Sequence, residues 1–442
     1  MKDLYNKALS SIKYSDLSFF SFVLLSIWAV SPIVEYILKN FSNNGYTRFF
    51  TFNIYFIGIL GITEYIIYIY KKKKDKSFDI KKMIPQILIL VLLFLSLVSS
   101  IFSDNPHLSF FGEIYRKEGL FVYIMYIGFL LAASVIDDKK YIRRLFKIIV
   151  FSAVFITVMP LFRSDFSYYQ FINIYHNTNH YGYFLMISTM LAAFLYIDSV
   201  GIKKVIYLLS YVLILNMLIC NNTFGCYLAI VISLLFSLIY SLITKFKRVD
   251  TITIIVVFLL ISFLVSHFNI RIGERMPYYD TNSIIHDNIT ELSNDVKTIV
   301  NQKDETIVGN VGSGRGLLWK TAWEYTLKRP IVGGGMEALI YYYNSNGIFM
   351  DRPHNIMLQF SSFIGIPGAL VYLSLIIYLA ITNLKRIKDD TVNYIIYVTA
   401  MCYFISSNFG NTMYYTSPYF AILLGFLISM RFSAETNKKK SN

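Results

Sequence analysis

The chain has 442 residues, of which 55% are hydrophobic and only 15% are charged. Charged residues make up about a quarter of an ordinary soluble domain, so the bilayer is the natural solvent for this sequence. The composition excludes a disordered chain, a solenoid and a secreted disulfide scaffold. The net charge of +14 raises the question of which membrane side carries the Lys and Arg residues, and it does not indicate nucleic-acid binding.

Twelve apolar runs follow one another along the chain. A transmembrane helix needs about 20 mostly apolar residues, so we predict an all-α polytopic membrane protein with about twelve transmembrane helices. The runs are centred on 18–38, 49–70, 83–102, 119–136, 147–162, 181–197, 204–220, 223–243, 251–268, 360–382, 391–409 and 418–432.

The connections between these runs alternate in charge. One set, which includes both termini, carries 27 of the 41 Lys and Arg residues. Nine of the other 14 lie in one long segment, so the short loops alone divide 27 to 5. Basic residues concentrate on the cytoplasmic side. We therefore expect cytoplasmic termini and an external long segment. The expected location is a bacterial plasma membrane.

This topology predicts four parts of the chain. An N-terminal bundle of about nine spans occupies 1–268, a large external loop occupies 269–353, three further spans occupy 354–434, and a cytoplasmic tail occupies 435–442.

The second half of the external loop predicts a helix at the membrane surface, beginning after the glycine-containing turn 312–314 and ending before Pro330. Three glycines, 333–335, then make a flexible turn. The residues expected on one face of this helix are Leu318, Trp319, Ala322, Trp323 and Thr326.

External Arg and His residues are the candidate functional groups. A guanidinium bonds phosphate oxygens in pairs, and the start of a helix also favours anions. Arg315, which opens the surface helix, therefore fits a diphosphate site; the alternative is an interfacial Arg satisfied by a carbonyl or a lipid headgroup. The external set comprises Arg116, Arg163, His176, His180, Arg271, Arg275, Arg315, Arg352 and His354.

His354 closes the external loop, immediately before apolar sequence resumes. Histidine exchanges its proton nearest neutral pH, so it suits the acceptance of a proton from an attacking hydroxyl. The alternative is a structural His that caps the next helix or packs under the loop. For Arg116 the alternative is a plain surface charge, and for Asn179 and His180 it is helix capping. Within the spans, Glu64 is costly unless it is paired or hydrated.

No metal or cofactor site is expected. The three cysteines, Cys220, Cys226 and Cys402, lie in or beside apolar runs without a metal-binding spacing. The outer face carries no Asp-x-Asp pair, and no HExxH motif or Walker loop occurs in a fitting context. Positive charge at a reaction centre must then come from arginine.

The order of several motifs resembles the O-antigen ligase and O-antigen polymerase superfamily. The external loop 109–119, with Arg116, and the Asn-containing helix start at 177–182 are also similar to that family. The motif residues are Gly314-Arg315 with Trp319, then Pro330, Gly333-x-Gly335, His354-Asn355 and Gly365-Ile366-Pro367-Gly368.

The resemblance implies an integral membrane glycosyltransferase, with a fold related to the C-type group, that acts externally on glycans linked to undecaprenyl diphosphate. It implies that Arg315 binds the diphosphate and that His354 activates the acceptor hydroxyl. This chain has Phe224 where many members carry an Arg, so a second diphosphate contact is expected from Arg116, Arg271 or Arg275. The predicted substrate-binding set is completed by Arg352, Asn179, His180 and Asn355.

The function that these features favour is metal-independent polymerisation of lipid-linked repeat units into a surface polysaccharide. The alternatives are ligase-type transfer of a finished glycan to lipid, protein or cell wall, and a flippase for lipid-linked sugars. Lys outnumbers Arg 28 to 13, which hints at an AT-rich bacterium without lipid A and favours the polymerase. The expected partners are the lipid-linked oligosaccharide, an acceptor glycan, membrane lipid and a regulator of chain length, with no nucleic acid.

Overall fold

The computed structural model describes residues 11–41, 49–114, 116–162, 174–175, 177–268, 290, 315–388, 390–411 and 413–438. Within these ranges the protein is helical and contains no β-strand. The helices before the external loop are α1 Tyr14–Phe41, α2 Phe49–Lys74, α3 Ile84–Ile101, α4 Pro106–Phe111, α5 Leu120–Val135, α6 Lys139–Val158, α7 Thr178–Asp198, α8 Ile202–Cys220, α9 Phe224–Thr244 and α10 Arg248–Phe268. Those that follow are α11 Arg315–Lys328, α12 Leu339–Ser345, α13 Ile356–Leu384, α14 Thr391–Ser407 and α15 Ser417–Lys438.

Every predicted apolar run falls on one of these helices, so the polytopic all-α architecture is confirmed. In the described ranges, eight helices are long and apolar enough to cross a membrane: α1, α2, α3, α7, α8, α9, α10 and α13. Three shorter apolar helices lie at Leu120–Val135, Thr391–Ser407 and Ser417–Met430. The run 147–162 lies in α6, whose basic first turns extend the helix back to Lys139.

Helix α5 packs against α2 and α15. Glycines allow the backbones to approach closely at both crossings. A Cβ atom on Gly61 would lie 2.3 Å from the carbonyl oxygen of Gly128, and one on Gly425 would lie 2.2 Å from that of Leu130. Helix α7 is buried from His180 to Ile197, so its first turn lies inside the protein.

The predicted surface helix is present as α11 and ends two residues before Pro330. Of the residues predicted on one face, Trp323 is 44% exposed, and the location of this face at a membrane surface stays a prediction. The buried side consists of Leu318, Thr321, Ala322, Tyr325 and Thr326. These residues are buried because α12 and α13 both pack against this helix, on two sides of it.

Helix α13 is broken near its middle. Ile364 and Gly365 have non-helical backbone angles, and Pro367 follows them. The break leaves backbone groups without their helical partners, and in a membrane such groups need new ones. The N–H of Gly334 donates to the carbonyl of Ser362 at 2.9 Å, and the N–H of Ile366 donates to that of Pro330 at 2.8 Å. The connection after α11 is thereby fixed against the break.

Candidate active site

His354 lies in the short connection that leads into α13. Its φ is +55°, an uncommon value for a residue with a side chain. The next residue, Asn355, is the N-cap of α13, and its side-chain oxygen accepts from the N–H of Leu358 at 3.0 Å. The cap and the left-handed turn together fix the direction in which α13 leaves the loop.

Both ring nitrogens of His354 have neighbours. Nδ1 lies 3.2 Å from the carbonyl oxygen of Arg352, and Nε2 lies 2.9 Å from the amide nitrogen of Asn411. A carbonyl oxygen can only accept, so Nδ1 carries the proton and Nε2 presents its lone pair to the amide. Burial, together with the positive charge of Arg315, lowers the pKa of His354 to about 4. The ring is therefore neutral at pH 7 and can accept a proton at Nε2.

Arg315 is the first residue of α11 and is partly buried. Among charged groups it has the largest effect on His354, so the two side chains share one electrostatic environment. One turn later, the Nε1–H of Trp319 donates to the carbonyl oxygen of Pro353 at 2.8 Å. This bond joins α11 directly to the His354 connection. The N-terminus of a helix and a guanidinium thus lie beside a neutral imidazole.

Arg352 is fully buried and lies two residues before His354, in the connection that leads into α13. Its two terminal nitrogens lie 2.5 Å from Glu118 and 2.6 Å from Glu337. Glu118 also accepts from the hydroxyl of Tyr126, and Glu337 accepts from the N–H of Glu113. With two carboxylates as partners, Arg352 has the geometry of a residue that positions His354 through its own carbonyl oxygen. Its predicted role in substrate binding stays a prediction.

The pKa of Glu337 is raised by burial, and Arg352 opposes that rise. Removal from water disfavours the charged form of this carboxyl, and the nearby charge of Glu118 adds a smaller effect in the same direction.

Arg116 is also buried and is not a surface charge. Its guanidinium forms a bidentate pair with Asp351 and lies 3.2 Å from Nε2 of His180. Burial alone would raise the pKa of Asp351, but the charge and hydrogen bonds of Arg116 outweigh it, so that pKa is lowered. Arg116 therefore connects the loop before α5, the start of α7 and the His354 connection.

The remaining predicted residues are placed as follows. His180 is fully buried beneath Arg116, and Asn177 caps α7 by accepting from the N–H of Asn179 at 2.8 Å. Asn355 has the capping role described above. Four predicted external groups lie outside the described residues: Arg163, His176, Arg271 and Arg275. The structure thus gathers Arg315, His354, Arg352, Arg116 and His180 in one region.

Three residues of this region were not singled out from the sequence. Glu118 and Glu337 were candidates in principle, because a buried Arg needs carboxylate partners. Glu118 lies in the loop 109–119, and Glu337 lies two residues after the glycine turn 333–335. Asn411 gave no signal, because it follows His354 by 57 residues and lies in an ordinary connection between two spans.

An apolar groove runs from this region between α3, α5, α13 and α15. Its space, the open side included, is about 900 Å³. Tyr126 and Ser417 line it, and both hydroxyls hydrogen-bond to Glu118. The groove therefore comes close to Glu118, one of the two carboxylates that hold Arg352. Its apolar lining includes Leu93, Tyr123, Phe360, Tyr372 and Leu424.

A family model described as O-antigen ligase matches residues 209–373. The predicted resemblance to the O-antigen ligase and polymerase superfamily is confirmed over these residues, and the apolar helices agree with a multi-pass membrane protein. The matched region runs from α8 into α13 and contains both Arg315 and His354. A search of curated proteins finds no match.

Proposed function

We propose that this protein is a polymerase that joins lipid-linked oligosaccharide repeat units at the external membrane face. The observation that carries the proposal is that Arg315 and a neutral imidazole share one region: Arg315 begins α11, the indole of Trp319 in that helix hydrogen-bonds to Pro353 beside His354, and the charge of Arg315 acts on the His354 ring. One group suits a diphosphate and the other suits a hydroxyl proton.

The transfer proceeds by one displacement. The acceptor hydroxyl oxygen forms a bond to the anomeric carbon of the donor glycan, and the bond from that carbon to the diphosphate oxygen breaks. The bonding electrons leave with undecaprenyl diphosphate, while the hydroxyl proton moves to Nε2 of His354. Attack opposite the leaving group inverts the anomeric centre. A diphosphate leaves readily, so charge stabilisation by Arg315 replaces a strong general acid.

The apolar groove supports a lipid-linked substrate. An isoprenoid chain would lie between α3, α5, α13 and α15, where the lining is almost entirely apolar. Such a chain gains stability by burial in proportion to its apolar area. Its diphosphate would then be presented near the polar end of the groove, on the side where Arg352 and His354 lie.

A ligase is the second candidate, and the description of the matched family favours it. It would use the same donor and the same two residues, and would move a finished chain to a different acceptor. The composition argument from the 28 Lys and 13 Arg residues leads us to place the polymerase first. Cytoplasmic termini, an external site, metal independence and a regulator of chain length remain parts of the proposal.

The test is deletion of the gene in its native host, followed by sizing of the glycans attached to undecaprenyl diphosphate. A polymerase predicts accumulated single repeats and no long surface chains. Long lipid-linked chains that never leave the lipid would assign the ligase function. An unchanged distribution of lipid-linked glycans and surface chains would refute both.

A further inference from the structure

The side-chain amide of Asn411 lies against the ring nitrogen of His354 that accepts the proton in the proposed transfer. Nδ1 of His354 faces the carbonyl oxygen of Arg352, so only Nε2 can receive a proton. The amide nitrogen of Asn411 lies 2.9 Å from that Nε2. An attacking hydroxyl must come within about 2.6–3.2 Å of the same lone pair. The amide and the hydroxyl therefore exclude each other.

The side-chain amide of Asn411 is only partly satisfied by hydrogen bonds. Asn411 is 4% exposed, and within the described residues its side-chain oxygen is buried without a hydrogen-bond partner. A buried amide oxygen in that condition is destabilising. Rotating the amide does not help, since an oxygen facing the lone pair of Nε2 would be repelled.

The backbone just before Asn411 packs closely against its neighbours. The carbonyl oxygen of Asn408 accepts from the side chain of Asn355 at 3.3 Å, and a Cβ atom on Gly225 would lie 2.9 Å from the carbonyl oxygen of Phe409. The side chain of Asn411, with its amide oxygen unbonded among the described residues, thus follows a closely packed segment and lies beside His354. This segment lies outside the region 209–373 that matches the family model.

We propose that Asn411 is an acceptor-site residue: the attacking sugar hydroxyl displaces its amide from Nε2 of His354, and the amide oxygen then accepts a hydrogen bond from a neighbouring hydroxyl of the acceptor. A sugar with adjacent hydroxyls satisfies both positions. The inference rests on the proposed function, and it assigns the acceptor side of that site.

The first test measures the chemical access of Nε2 and needs no glycan. Diethyl pyrocarbonate acylates neutral imidazole, and mass spectrometry gives the rate at His354. At pH 7, Asn411→Ala is expected to raise that rate about 2- to 10-fold, the effect of one lost hydrogen bond. The matched control is Asn393→Ala, which removes a buried amide from the opposite end of α14 and is expected to leave the rate unchanged. Equal rates in Asn411→Ala and wild type, or an equal rise in the control, would overturn the proposal.

The second test uses Asn411→Asp and the pH dependence of transfer. A carboxylate at this place favours the imidazolium form of His354, so the acid limb of the transfer rate is expected to move up by about 1–2 pH units. The other charged and titratable groups that act on His354 are Arg315, Asp351, Arg116 and His180, and none is changed. An acid limb that stays in place would show that the side chain at position 411 does not lie against Nε2 of His354 in the working protein, and it would overturn the proposal.

Different results would refute the proposed function and the role of Asn411. Wild-type protein without any transfer activity would refute the proposed function. Active wild type, together with an unmoved acid limb in Asn411→Asp and an unchanged acylation rate in Asn411→Ala, would refute only the role of Asn411.

Discussion

Gly335 donates its backbone N–H to the carbonyl oxygen of Phe363 at 2.9 Å. This bond joins the turn after α11 to the break in α13, and it relates two glycine motifs that are far apart in the sequence. The hydroxyl of Ser99 donates to the same carbonyl at 2.5 Å. The carbonyl oxygen of Phe363, next to the break, therefore accepts hydrogen bonds from two different parts of the chain. The part of α13 before the break begins two residues after His354.

Replacement of a glycine in this contact is expected to destabilise the protein. Gly333 has a φ of +76°, and an added Cβ would lie 2.4 Å from the carbonyl oxygen of Phe363. Gly347 is the matched control, because its φ is +73° and an added Cβ would meet nothing within 4 Å. Gly347→Ala should cost only the left-handed strain, about 1–2 kcal/mol, and Gly333→Ala should cost more. Thermal unfolding in detergent measures both, and equal losses would count against the packing argument.

The ion cluster at Arg352 makes a second prediction. Arg352→Met leaves Glu118 and Glu337 buried without their cation, and the expected cost is about 3–5 kcal/mol. Adding Glu118→Gln and Glu337→Gln should recover part of that loss. Arg329→Met is the control, since its pair with Asp104 is largely exposed and is worth about 0–1 kcal/mol. A similar loss in both single variants would show that the buried cluster does not stabilise the fold.

Arg315→Ala and His354→Ala are each expected to abolish glycan transfer while the protein remains folded in the membrane. In the proposed mechanism, Arg315 supplies the charge for the leaving diphosphate, and His354 takes the hydroxyl proton. Lys320→Ala, an exposed cation on the same helix, is expected to keep near-normal activity. Transfer by reconstituted protein, with unfolding temperature as the fold control, measures all three. Near-normal activity in either of the first two would remove that residue from the mechanism.

The pH dependence of transfer follows from the lowered pKa of His354. A general base must be neutral, and burial with Arg315 brings that pKa to about 4. The acid limb of kcat/KM for the donor should therefore lie near pH 4, well below the ordinary 6.5. Bound diphosphate offsets the charge of Arg315, so the limb of kcat should lie at higher pH than that of kcat/KM. Coincident limbs would show that the diphosphate does not bind beside Arg315.

Chelation tests the expectation of metal independence. Within the described residues no three His, Cys, Asp or Glu side chains form a group suited to a metal ion, and the proposed charge at the leaving group comes from arginine. Transfer activity is expected to survive EDTA. Complete loss that an added divalent ion restores would overturn this expectation.

The helices could be predicted because hydropathy marks each run that a bilayer buries. Their ends were less predictable. Helix α6 begins at Lys139, where Asp138 caps it, and a hydropathy profile does not register such a basic turn. The break in α13 lies within a run predicted as one continuous span, because Ile364 and Gly365 are as apolar as their neighbours.

The candidate site, like the helices, was predictable only in part. Arg315 and His354 could be predicted from their residue types and their motifs. The partners of Arg116 and Arg352 could not, because pairing with Asp351, Glu118 and Glu337 depends on how distant loops meet in the fold. Pairing of this kind decides whether an Arg is available to a ligand or holds the structure in place.

The most direct measurement is transfer by purified protein in lipid nanodiscs, supplied only with undecaprenyl-diphosphate-linked repeat units. We expect the wild type to lengthen the lipid-linked glycan and to release undecaprenyl diphosphate, and His354→Ala to do neither while keeping the wild-type unfolding temperature. Wild-type protein that leaves the repeat units unchanged, or His354→Ala that lengthens them at the wild-type rate, would contradict the account.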